Sequence, residues 1–196
     1  MFKYLARWFK FHWMLHKKHH KSMWKRESIS ASEIPIPWYT YGAIEFLSRI
    51  NAKTIFEYGC GNSTLYWSKR CKWLYFVDHN LDWFKGIIEK CPSNVVGYLS
   101  EKLLKVTYVN SIDIPGIKYD LIIIDGLERT RCAAMAIKCL TENGVILLDN
   151  VEWNADAKSV LLEAGFTEIP FKGIGPINEY EWTTSVFVKN LKLWDI

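Results

Sequence analysis

Residues Thr54 to Thr64 read Thr-Ile-Phe-Glu-Tyr-Gly-Cys-Gly-Asn-Ser-Thr. A short β-rich run ends in an acid, a Gly-x-Gly turn follows, and Asn-Ser-Thr is a good helix opening. Gly59 and Gly61 let the backbone turn sharply and approach a ligand closely, since no Cβ intervenes. Glu57, Gly59, Gly61, Asn62 and Ser63 are therefore candidate contacts in a strand–loop–helix cradle for a nucleoside-containing cofactor. A dinucleotide site wants a third glycine where Thr64 stands, and a carboxylate at Glu57 would repel a pyrophosphate. The same carboxylate suits a ligand that carries positive charge. Asp78, at the end of Phe76-Val77-Asp78-His79, can accept from both hydroxyls of a ribose, or cap the next helix. Asn110 and Ser111 are candidate readers of a base edge. Asp125 and Asp149-Asn150 end two apolar runs, where an acid without a partner is costly. Together they form an oxygen-rich set of the kind that holds Mg²⁺. Asp125 and His79 are the candidate general bases.

These residues must be brought together by the elements that carry them. Strands are expected at Thr54–Tyr58, Trp73–Val77, Lys105–Val109, Asp120–Asp125 and Val145–Asp149, with two more at Thr167–Phe171 and Thr183–Lys189. Leu121-Ile-Ile-Ile124 is a continuous apolar run, as a strand buried on both faces should be. Helices are expected at Trp38–Ile50, Ser63–Cys71, Leu81–Lys90, Arg129–Leu140 and Ala155–Ala164, the last stopped by Gly165. The order predicts a Rossmann-like, doubly wound α/β domain over residues 38–196. Its seven-stranded sheet is mostly parallel with an antiparallel last strand. Ligands of such sheets sit at the carboxyl ends of the strands, where the polar residues above fall. The loop from Lys172 to Trp182 is expected to rise over the same edge and to offer Asn178, Tyr180 and Trp182 to an acceptor. Arg129 and Arg131 are candidates for an acceptor phosphate or carboxylate, or plain helix-surface charges.

The run Glu57-Tyr-Gly59-Cys-Gly61 resembles the first motif of class I S-adenosylmethionine-dependent methyltransferases. The stretch from Pro37 to Lys189 also resembles a group of small bacterial methyltransferase-like proteins. The resemblance is carried by Pro37-Trp38-Tyr39-Thr40-Tyr41, Glu57 to Thr64, Tyr119 to Gly126, Leu148-Asp-Asn150, Gly173 to Asn178 and Thr184-Ser-Val-Phe187. Asp125 with Asp149-Asn150 is similar to the metal-binding pattern of catechol-type and caffeoyl-CoA-type O-methyltransferases. The resemblance implies S-adenosylmethionine as cofactor and Asp125, Asp149 and Asn150 as Mg²⁺ ligands. It also implies methyl transfer to a hydroxyl of a small molecule or a saccharide or lipid-linked acceptor. The alternative is a methyltransferase-like module that binds cofactor or partner without chemistry.

Composition sets the frame. The 196 residues suit one domain, and 49% of them are apolar. Five cysteines without a C-x-x-C pair suggest reduced thiols and a cytoplasmic setting. No apolar run reaches the length of a membrane span. Of the 25 Lys and Arg, eight lie in residues 1–26 with no acid among them, so the remainder carries a net −4. That split argues against nucleic acid as a partner of the body. On a helical wheel Lys3, Arg7, Lys10, Lys17, Lys18, Lys21 and Lys25 face away from Phe2, Leu5, Trp8, Phe9, Trp13 and Met23. Residues 1–27 thus read as a basic aromatic arm and 28–37 as a linker. The arm suits a peripheral seat on an anionic inner membrane surface. Its aromatic face equally suits packing on the domain or on a second copy in a homodimer.

Overall fold

The structure, a computed structural model, describes residues 21–100 and 105–189. Helix α1 (Tyr41–Leu47) precedes β1 (Thr54–Tyr58), α2 (Asn62–Ser68), β2 (Trp73–Asp78), α3 (Leu81–Ile88) and β3 (Val95–Leu99). Then come α4 (Lys105–Asn110), β4 (Tyr119–Ile124), α5 (Arg129–Cys139), β5 (Leu140–Leu148), α6 (Ala155–Glu163), β6 (Thr167–Gly173) and β7 (Trp182–Val188). The seven strands form one sheet in the order β3-β2-β1-β4-β5-β7-β6. β1 runs parallel to β2 and β4, β4 parallel to β5, and β7 antiparallel to both β5 and β6. The order reverses between β1 and β4, and a crevice opens at such a point.

Period-2 alternation along the central strands supplies two cores. Phe56, Tyr58, Ile122, Ile124, Ile146 and Leu148 face one layer, with Cys132, Ala133 and Ala136 of α5 and Ala157 and Leu161 of α6. Ile55, Leu121, Ile123, Val145 and Leu147 face the other, with Ala43 and Leu47 of α1 and Tyr66 and Trp67 of α2. Each fully buried Ile or Leu contributes roughly 1.5–3 kcal/mol, so both faces of β4 are held apolar up to Asp125.

One expected strand is wrong. Lys105–Val109 is rich in β-branched and aromatic residues, yet Lys105–Asn110 is helical and the third strand is Val95–Leu99. Packing overrides propensity here: Tyr108, Val109 and Ile112 are buried together at helical spacing. The true strand was masked by Gly97, where a side chain would run into the rings of Phe76 and Phe84. Asn110 and Ser111 consequently do not end a strand. Asn110 closes α4, and Ser111 is buried and donates to the Thr107 carbonyl at 2.6 Å. Helix α1 is shorter than Trp38–Ile50 and begins after Thr40, whose hydroxyl donates to the Phe171 carbonyl at 3.0 Å.

Residues 21–25 are helical, and the chain from Ser22 to Ile36 packs on the domain. Ser28 donates to the Ile36 carbonyl at 2.8 Å, Ile29 is buried, and the backbone N–H of Ile177 donates to Ser22 Oγ at 3.1 Å. Lys21 and Lys25 both pair with Glu33, at 3.1 and 2.7 Å. The rest of the expected arm, residues 1–20, lies outside the described residues. Among the described residues no helix is long and apolar enough to cross a membrane.

Candidate active site

The carboxyl ends of β1, β2 and β4 enclose a cleft of about 340 Å³. Its narrowest feature is a backbone-to-backbone contact. Gly59, with φ of +101°, lies against Gly126 so closely that a Cβ on Gly126 would fall on the Tyr108 hydroxyl and stand 3.0 Å from the Gly59 nitrogen. The approach leaves no room for a side chain at Gly126, and the positive φ of Gly59 favours glycine there. Two non-glycine residues in the left-handed region, Glu128 and Asn150 (φ 51° each), re-aim the chain after β4 and β5.

Glu57 is 1% exposed and sits beneath the glycine loop. Ser63 Oγ and Thr64 Oγ1 (2.6 Å) both donate to its carboxylate, and the Gly61 N–H donates to Thr64 Oγ1 at 3.0 Å. The first turn of α2 is thus hung on this acid. Burial pushes its pKa up to about 7; the two hydroxyls oppose the rise and Asp78 adds to it. Asp78 Oδ2 accepts from the Cys60 N–H at 3.0 Å and Oδ1 from the Asn80 N–H at 2.8 Å, tying the two loops together. Trp83 lies over the loop with its indole N–H donating to the Cys60 carbonyl at 2.6 Å. His79 stands 3.6 Å from Asp78 Oδ1 on the same wall.

Asp125 lines this cleft and also a second cavity of about 290 Å³, shared with Asp149, Asn150, Trp182 and a rim of Trp38, Trp153, Asn178 and Tyr180. The antiparallel β7 puts the loop before it on this edge, as the sequence implied. Burial raises the pKa of Asp125, Arg129 opposes the rise and Glu57 reinforces it. Burial also raises Asp149, with Asp125 adding, against donation from Thr184 and from the Trp182 indole at 3.0 Å.

Arg129 occupies the junction. Its Nη2 donates to Asp125 Oδ1 and O, at 3.1 and 3.0 Å, and its Nε to the Gly126 carbonyl at 3.0 Å. Its Nη1 donates to the Asp149 carbonyl at 2.5 Å and reaches Asn150 Oδ1 at 3.4 Å. The guanidinium therefore holds the two loops and is not turned out for an acceptor anion, while Arg131 sits 3.7 Å from Glu128. Tyr39 is fully buried beside this junction. Its hydroxyl makes no hydrogen bond among the described residues. Burial raises it well above an ordinary phenol, with Glu57, Asp125 and Asp149 adding to the rise.

The structure thus gathers Glu57, Gly59, Ser63, Asp78, His79 and Asp125 around one cleft, and Asp125, Asp149 and Asn150 around its neighbour. Gly61 lies just behind the first wall, 3.8 Å from the Trp83 ring by the position its Cβ would take. Asn62 faces elsewhere: its amide donates to the Ser28 carbonyl at 2.8 Å and pins the N-terminal segment. Asn80, Trp83 and Trp153 line the cavities without any motif in the sequence to mark them, while Trp38 belongs to a stretch that carries the family resemblance, which gives it no role.

The oxygen set does not fit Mg²⁺. Arg129 already bonds Asp125 Oδ1 and reaches Asn150 Oδ1, and Asp149 Oδ1 takes both Trp182 and Thr184. Among the described residues no three His, Cys, Asp or Glu converge as ligands. The expectation of a Mg²⁺ site at Asp125, Asp149 and Asn150 is corrected accordingly: the charge a cation would neutralise is met by a guanidinium. S-adenosylmethionine does fit the first cleft. Among the described residues its wall carries Glu57, Asp78 and Asp125 and no Lys or Arg, the reverse of a pyrophosphate site and apt for a ligand with an ammonium, a sulfonium and a ribose.

No family model matches the sequence, and no curated protein does. Solved structures do match. A putative O-methyltransferase from Klebsiella pneumoniae aligns at TM-score 0.58 and 16% identity over 74% of this chain and 77% of that one. Precorrin 8w decarboxylase from Methanobacterium thermoautotrophicum aligns at TM-score 0.60 and 15% identity over 83% and 97%. The N-methyltransferase NodS from Bradyrhizobium japonicum, in complex with S-adenosyl-L-homocysteine, aligns at TM-score 0.54 and 16% identity over 72% and 80%. The chain has the Rossmann-like fold of the class I S-adenosylmethionine-dependent methyltransferases.

Proposed function

We propose that the protein is an S-adenosylmethionine-dependent methyltransferase that acts on a hydroxyl oxygen of a small-molecule or saccharide acceptor. The observation that carries this reading is the acid-lined cleft at the β1/β4 switch point, joined through Asp125 to a second, aromatic-rimmed cavity. In this reading Glu57 meets the cofactor's ammonium, Asp78 its ribose, and the Gly59 loop lets it approach the backbone. The cofactor, once bound, supplies an electrophilic methyl group. Asp125 is placed to take the acceptor proton, because it lines both cavities; His79 lines only the first. Its carboxylate is the reactive form, populated above about pH 6. Alignment of acceptor and methyl supplies most of the acceleration, roughly 7–11 kcal/mol in well-oriented systems.

The fold alone does not choose oxygen over nitrogen, since the structural neighbours include both a putative O-methyltransferase and an N-methyltransferase. Oxygen is favoured by the guanidinium beside Asp125, which opposes a cationic amine. The test is release of S-adenosylhomocysteine from the full chain with hydroxyl and amine acceptors in parallel. Turnover with a hydroxyl acceptor that falls at least a hundredfold in Asp125→Asn supports the proposal. Tight cofactor binding with no turnover on any acceptor would instead identify a non-catalytic binding module.

A further inference from the structure

We infer that the second cavity is the seat of a single neutral saccharide ring, the acceptor of the proposed methyl transfer; this rests on the methyltransferase reading. Three large aromatic side chains converge on it while exposed to solvent: Trp153 is 70% exposed, Tyr180 52% and Trp38 45%. Exposed aromatics grouped around one hollow mark a binding surface. The partly positive C–H face of a pyranose packs on such rings as an aromatic edge does.

The floor selects among ligands. Among the described residues an anion finds no free cation on the lining, because the donors of Arg129 go to Asp125, Gly126, Asp149 and Asn150. A cationic amine meets that guanidinium behind Asp125, and Asp149 is already engaged by Trp182 and Thr184. The polar groups on the lining besides these are Asn178 and the amide of Asn150, which Arg129 reaches only at 3.4 Å, together with Asp125, which Arg129 meets through Oδ1. An amide both donates and accepts, which matches a hydroxyl, itself donor and acceptor. A flat phenol would stack equally well but carries too few hydroxyls to satisfy two amides and a carboxylate. At about 290 Å³ the cavity lies at the small end of ligand pockets (~300–1,000 Å³) and suits one ring, not an oligomer. Asp125 at the shared wall brings one ring hydroxyl to the cofactor side.

The experiment is saturation-transfer-difference NMR on the full chain with methyl hexopyranosides, and separately with catechol, at matched concentration. Trp153→Ala and Tyr180→Ala are the variants, Trp153→Phe the conservative control, and S-adenosylhomocysteine calorimetry is run on each protein. Expected are ring-proton signals from at least one pyranoside. They fall fivefold or more in Trp153→Ala, are restored in Trp153→Phe, and leave S-adenosylhomocysteine affinity within twofold. Absence of signal from every pyranoside, or catechol signals that alone vanish in Trp153→Ala, overturns the saccharide assignment. Pyranoside binding without any S-adenosylhomocysteine binding would keep the saccharide site and refute the methyltransferase reading separately.

Discussion

Glu57 is the residue whose replacement is most informative. It is buried under the glycine loop, accepts from Ser63 and Thr64, and has no cation beside it among the described residues, which leaves its pKa near 7 against an ordinary 4.5. Between those two values the unfolded chain gives up the proton while the native protein keeps it. Native stability therefore falls as pH rises from about 4.5 to about 7 and is flat beyond. At ~1.4 kcal/mol per pH unit the loss is about 3 kcal/mol at most. Glu57→Gln keeps the shape and one acceptor, and the two hydroxyls can turn to meet the new NH₂. Urea denaturation of both proteins at pH 4.5, 6 and 8, without cofactor, reads the effect. The variant should gain roughly 2–3 kcal/mol on the wild type between pH 4.5 and 8, because the slope from Asp149 is common to both and that from Asp125 is only eased by loss of the Glu57 charge. Binding of the cationic cofactor should also tighten with pH up to about 7 in the wild type and lose that dependence in the variant. Parallel stability–pH profiles in the two proteins would refute the reasoning about Glu57.

Gly126→Ala should cost about 2 kcal/mol or more, since its methyl displaces the Tyr108 hydroxyl from the Leu127 N–H and presses on Gly59; thermal denaturation reads it. Arg129→Met should destabilise by about 3 kcal/mol at pH 8, where Asp125 loses its only salt-bridge partner among the described residues, and by less below pH 6, where that carboxyl takes up a proton. For residues 1–26 we propose weak attachment to anionic lipid, at about 1 kcal/mol per basic group near the surface. Co-sedimentation with phosphatidylserine vesicles should then be lost on deleting those residues or on raising salt, and a deletion that instead yields a monomer from a dimer would favour packing.

The central sheet was legible because its signals are local. Leu121-Ile-Ile-Ile124 is apolar on both faces, and the glycine turn follows β1 directly, so the acids at strand ends could be placed without coordinates. β3 was not legible. Gly97 breaks its pattern for a reason visible only in three dimensions, the rings of Phe76 and Phe84, while the β-rich Lys105–Val109 is made helical by the burial of Tyr108 and Val109. The site divided in the same way. Glu57, Asp78 and Asp125 follow from strand ends, whereas Trp83 and Trp153 come from a helix face and a loop with no motif. The metal expectation failed because sequence shows that Asp125, Asp149 and Asn150 meet but not that Arg129 stands among them. Asn62 likewise has the right position in the motif, but its amide is claimed by Ser28, a residue 34 positions away.

The most direct test is isothermal titration of the full chain with S-adenosylhomocysteine and with NAD, in wild type and Gly61→Val. Gly61 has extended backbone that valine can adopt, and its Cβ would stand 3.8 Å from Trp83 and 3.9 Å from Ser63, so the variant should fold. From just behind the wall its side chain would nevertheless press on Trp83 and Ser63, which line the cleft. One-to-one binding of S-adenosylhomocysteine, weakened at least a hundredfold in Gly61→Val, with no binding of NAD, is the result predicted. Equal affinity in both proteins, or NAD binding in its place, would contradict the assignment of this cleft.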